Sequence, residues 1–97
     1  TRYSEAGMPS VYIETTVVSY LTAWPSRDLV RAAHQQITRE WWEDRRSAFR
    51  LCISQLVLEE AGAGDARAAE ERLRAVAGLP LLDYRDPTLA LAQTLER

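Results

Sequence analysis

The sequence predicts an α/β domain with a parallel sheet flanked by helices, and three observations carry that reading. Short apolar runs at Val11–Ile13, Phe49–Ile53 and Leu79–Leu82 alternate with longer stretches of helical periodicity. Each run is followed by a helix-start signal, and the order strand, helix, strand calls for right-handed parallel crossovers. At 97 residues, the chain is one domain that buries about two-thirds of its unfolded surface, enough for a single core.

Residues 1–7 are polar, end in Gly7 and precede Met8-Pro9, so they read as a leader or extension, with the domain spanning residues 8–97. Val11, Tyr12 and Ile13 are β-branched or aromatic and form the first strand, buried on both faces as in a parallel sheet. Glu14 stands at its carboxyl end, the edge where open α/β sheets bind ligands, and the same position also suits an acid that opens the next helix. From Thr15, the residues Val17, Val18 and Leu21 describe a short helix that ends before Trp24-Pro25.

Ser26 is the expected cap of the longest helical pattern, 27–46, whose apolar side is Leu29, Val30, Ala33, Ile37 and Trp41. Trp41 and Trp42 are adjacent, so they point to different sides, and either both enter the core or one serves a partner surface. His34 has no second His or Cys at ligand spacing and reads as a surface or helix-packing residue. Ser54 caps a helix over Gln55–Ala61, in which Glu59 and Glu60 diverge by about 100° so that at most one faces a shared site. A further helix spans Asp65–Ala77, Gly78 stops it, and Leu79–Leu82 supplies the third strand. Pro87 opens a last amphipathic helix, with Leu89, Leu91, Ala92 and Leu95 on its apolar side, running to Arg97.

Composition narrows the chemistry. A net charge of −2 excludes a global basic field for nucleic acid, and the twelve basic residues are all Arg. The single Cys52 lies in an apolar run and reads as a buried structural thiol, in keeping with a reducing, cytoplasmic location. No apolar stretch has the length of a membrane span. Gly-rich phosphate loops and nucleophile elbows are missing, which leaves the acids at strand ends and helix starts: Glu14, Glu59 or Glu60, Asp65, and Asp83 or Asp86. Carboxylates that converge on one edge stay ionised together only with a hard cation between them, and such an ion can activate water against a phosphodiester. Capping of helix starts explains the same acids equally well.

Three stretches resemble the PIN-domain family, close to its VapC-type toxin branch. They are Val11-Tyr12-Ile13-Glu14-Thr15-Thr16, Arg39-Glu40-Trp41-Trp42, and Ile53-Ser54-Gln55-Leu56-Val57-Leu58-Glu59-Glu60 followed by Gly64-Asp65. The resemblance covers most of residues 8–82 and implies a PIN-like sheet, incomplete at the C-terminal end, and a ribonuclease that uses Mg2+ or Mn2+. It assigns Glu14 and Glu60 as the catalytic, metal-holding acids, and Thr15 and Ser54 as the small hydroxyl residues beside the substrate. It also implies an RNA substrate, with Arg27 or Arg50 as candidates to meet phosphates, and a cognate antitoxin.

Two departures stand out: Glu14 replaces the usual Asp, and the family's remaining acids fall beyond residue 97. The second departure raises an alternative, a catalytically silent relative that serves as an oligomerisation or interaction module, with a homodimer covering an exposed sheet edge.

Overall fold

The computed structural model describes residues 8–82 and 90–91. They form a small mixed α/β domain in the order β1 (Ser10–Tyr12), α1 (Thr15–Thr22), α2 (Leu29–Asp44), β2 (Arg50–Cys52), α3 (Gln55–Ala61), α4 (Ala66–Ala75) and β3 (Ala90–Leu91), with a single 3-10 turn at Arg46–Ala48 before β2. The sheet order is β2-β1-β3, all parallel, with Ser10 opposite Arg50 and Tyr12 opposite Cys52. Backbone pairing continues past the strands: Ile13 N donates to Cys52 O at 2.9 Å, and Leu82 N donates to Ile53 O at 2.8 Å. The expected third strand at Leu79–Leu82 is thus reduced to one parallel bridge, Ile53 with Leu81, on the outer side of β2. Pro80, which lacks an N–H, limits any longer ladder there.

The core follows the period of two. Val11 of β1 and Leu51 of β2, with Ile13 and Ile53 one residue past the strand ends, pack with Val17 and Val18 of α1, Val57 of α3 and Val76. Helix α1 is the hub, packed against α2, α3 and α4. Its β-branched residues lower intrinsic helix propensity, but Val17 and Val18 are almost completely buried, and that burial outweighs the propensity deficit. Cys52 points to the other face, buried and reduced, with its thiol toward Val11 O at 3.6 Å. Gly64 and Gly78 both have φ near +84°, the left-handed region, and close the ends of the α3–α4 connection and of α4's trailing turn. Replacing Gly78 with Ala meets no steric neighbour, so the expected loss of about 1 kcal/mol, read in urea denaturation, comes from backbone strain alone.

Two further expectations require correction. First, α2 does not bury its predicted apolar side. Leu29 is 85 %, Val30 67 % and Ile37 48 % exposed, while Gln35 and Thr38 are buried. The buried face runs through residues 35, 38 and 42, at helical spacing, and its polar groups are satisfied locally. Gln35 Oε1 accepts from Ser26 N at 2.8 Å, Gln35 Nε2 donates to Trp24 O, and Thr38 Oγ1 donates to His34 O. Trp41 and Trp42 are half-buried against the core, the Trp41 ring tilted at 5.7 Å from that of Phe49 and Trp42 beneath the Arg46 guanidinium. The helix cap is Asp28, which accepts from Val30 N and Arg31 N, whereas Ser26 Oγ accepts from Asp28 N one step earlier.

Second, Ala90–Leu91, expected inside the last helix, is strand β3 beside β1. A short apolar run reads equally as strand or helix from periodicity, and the open edge of β1 decides it by pairing the backbone. The rest of that predicted helix, together with Asp83, Asp86 and the leader at 1–7, lies outside the described residues.

Candidate functional site

Parallel register brings two helix starts to the same sheet edge. Because Tyr12 pairs with Cys52, Glu14 and Ser54 each stand two residues beyond that rung, at the carboxyl ends of neighbouring strands, and each is the N-cap residue of the helix that follows. They differ in what they do there. Ser54 Oγ accepts from Val57 N at 3.2 Å and lies 2.7 Å from Tyr12 Oη, so this hydroxyl both caps α3 and ties it to β1. Glu14 does not cap α1 with its side chain.

Glu14, half-buried, instead lines a shallow depression of about 190 Å3 with Tyr12, Thr15, Thr16, Leu56, Val57 and Glu60. Thr15 Oγ1 donates to Glu60 Oε1 at 2.5 Å across 45 residues of chain, so α3 presents Glu60 to the residue next to Glu14. Of the four predicted site residues, Glu14, Thr15 and Glu60 therefore line one depression, and Ser54 stands behind it, bonded to Tyr12. Glu59 is exposed and does not line the depression, as the divergence of neighbouring helical positions requires.

Tyr12 is the residue that sequence reasoning missed. Its position two residues before Glu14 was the available signal: half-buried and packed against the core, it also lines the depression and reaches Ser54 with its hydroxyl. Arg50 pairs with Ser10 at the amino end of the strands, the end opposite to the one where Glu14 stands. Arg27 is exposed in the α1–α2 connection.

The donors facing the depression are carboxylate and hydroxyl oxygens, the hard set that Mg2+ and Mn2+ accept. In general two carboxylates can form part of an octahedral shell that water completes. Glu60 keeps lone pairs beyond the one that Thr15 uses. Among the described residues no group of three or more His, Cys, Asp or Glu comes together to enclose a metal. His34 is half-buried in α2, and its backbone carbonyl accepts from Thr38 Oγ1. A larger hollow of about 520 Å3 lies elsewhere, between the end of α1 and the start of α4, lined by Trp24, Asp65, Arg67, Glu71 and Arg72 among others. Volume does not make it the better site, since its Arg72 guanidinium is already engaged with Ala61 O and Ala63 O.

Removing the Ser54 hydroxyl tests how firmly this edge is built. Ser54→Ala leaves both an α3 amide and Tyr12 Oη without their partner, and should cost about 1–2 kcal/mol in urea denaturation, against a few tenths for Tyr12→Phe, which keeps the cap.

Comparison with models of known protein families, with curated proteins and with solved structures returns no match. Among the described residues no helix is long and apolar enough to cross a membrane.

Proposed function

We propose that the chain is a metal-dependent endoribonuclease of the PIN type. The observation that carries the reading is the convergence of Glu14 and Glu60 on one depression, with the Thr15 hydroxyl bonded to Glu60. These residues are far apart in sequence, and neither carboxylate is needed by the fold as a helix cap.

Each part of the chain has a defined task in this reading. Tyr12 and Ser54 fix α3 against β1 and thereby set where Glu60 stands. Thr15 orients the Glu60 carboxylate through a charge-assisted hydrogen bond. Two carboxylates facing a polyanion are electrostatically hostile to it, so RNA approaches this edge only when their charge is neutralised. When bound, Mg2+ or Mn2+ would supply that neutralisation and a more acidic water. Glu14 and Glu60 would hold it, and the half-buried setting of Glu14 strengthens its pull over that of a fully wet carboxylate.

The purified chain, incubated with single-stranded RNA, should cleave it with Mn2+ or Mg2+ and not with EDTA. Absence of cleavage under all of these conditions overturns the reading.

A further inference from the structure

The fold holds Trp24 by its backbone and leaves its ring in solvent. The Trp24 carbonyl accepts from Gln35 Nε2, and the Ala23 carbonyl before it accepts from Arg39 Nη2 at 2.6 Å, yet the residue is 92 % exposed. Two hollows share this side chain: the one of about 520 Å3, which Ser19, Arg67 and Glu71 also line, and one of about 310 Å3 on the side of Pro25 and Arg39. We propose that an unpaired nucleotide of single-stranded RNA seats here, its base stacked on the Trp24 ring and its phosphate met by Arg67. The choice of RNA rests on the nuclease reading, for which this hollow anchors the substrate beside the cleavage depression.

The lining matches a nucleotide group by group. An aromatic face carried on a pinned backbone is the platform on which bases stack without regard to sequence. Around the two hollows Arg39, Arg67 and Arg72 outnumber Asp65 and Glu71. Asp65 is turned onto Ala68 N as the cap of α4, Arg39 onto Ala23 O, and Arg72 onto Ala61 O and Ala63 O. Arg67 is exposed and has no such engagement among the described residues, so its guanidinium is the one open to a phosphate. It stands in the first turn of α4, which carries no acid, and the positive end of that helix adds to its charge. The Glu71 carboxylate repels a bare phosphate but accepts from the N–H groups on a base edge, which favours a whole nucleotide over an inorganic anion.

Helix α1 connects the hollow to the candidate site. Thr15, Ser19 and Thr22 follow one another at helical spacing on a single face. Thr15 lines the depression with Glu14 and Glu60, while Ser19 and Thr22 line the hollow, with Thr22 about 10 Å further along the helix. A strand that follows this face meets both.

Fluorescence anisotropy of a short, labelled single-stranded RNA in EDTA tests the proposal with metal and cleavage removed. The parent chain should bind saturably. Trp24→Ala should weaken binding by about tenfold or more and Trp24→Phe by no more than about threefold, because either ring stacks. Arg67→Ala should lower the slope of log affinity against log salt by about 0.7. Both side chains are exposed, and circular dichroism should show each variant folded as the parent. A parent chain that does not bind the RNA overturns the proposal, as does binding that Trp24→Ala leaves unchanged or that Trp24→Phe loses equally. Trp24-dependent binding without cleavage in Mn2+ supports the proposal and overturns the nuclease reading alone. Cleavage whose KM is unchanged by Trp24→Ala overturns the proposal and leaves that reading standing.

Discussion

Replacing Glu60 with Gln should lower metal-dependent RNA cleavage by about a hundredfold or more while leaving the fold intact. The substitution removes a charge but keeps the shape, and the new amide oxygen can still accept the hydrogen bond from Thr15 Oγ1. Glu60 is exposed, so its replacement creates no cavity. In metal-free buffer the melting temperature of Glu60→Gln should equal or slightly exceed that of the parent, because it removes one of two carboxylates facing the same depression. Glu59→Gln is the internal control. Its side chain departs from the site by a helical step, and its effect on cleavage should stay within about twofold. Equal losses for Glu59 and Glu60 would show that the effect is generic to the helix and not to the depression.

Replacing Ile13 with Ala should be the most damaging conservative change to the fold. Ile13 is fully buried, it extends the β1 ladder through its amide bond to Cys52 O, and its side chain joins the cluster that unites both strands with α1 and α3. Truncation there costs about 3–4 kcal/mol from lost transfer energy and the cavity left behind, out of the roughly 5–10 kcal/mol that holds a domain of this size together. The melting temperature should fall by more than about 10 °C, and Ile13→Val by only a few degrees. Ile13 directly precedes Glu14, so the same change should loosen the candidate site and reduce cleavage at temperatures below the melt.

What was legible in the sequence was local. The Ser54 cap and the limits of α3 follow from a hydroxyl placed before an apolar run, and Asp65 caps α4 by the same chemistry, accepting from Ala68 N. Glu14 was likewise readable as an acid at the sheet edge, because parallel strands separated by helices bring helix starts to a common rim, whereas the choice of Glu60 over Glu59 rested on the family resemblance alone.

What was not legible depended on contacts distant in sequence. Helix α2 carries two stripes at helical spacing, one apolar through 29, 33 and 37 and one mixed through 35, 38 and 42, and hydrophobicity alone chooses the first. The structure buries the second, because Trp42 belongs to the core side and the 23–26 connection supplies an amide and a carbonyl that satisfy Gln35. Arg39 adds a bond to Ala23 O from the same side. Residues 90–91 show the same limit: a two-residue strand has no pattern of its own and exists because the β1 edge offers it partners. Arg50 could be placed at the amino end of the strands only after strand direction was known.

Titrating the chain with Mn2+ and following the free ion by electron paramagnetic resonance addresses the central claim most directly. If the carboxylates of Glu14 and Glu60 form one cation site, the parent binds a single Mn2+ per chain, and Glu14→Gln and Glu60→Gln each weaken that binding by about tenfold or more. A parent chain that leaves Mn2+ free at millimolar concentration, or binding that survives Glu60→Gln unchanged, contradicts it.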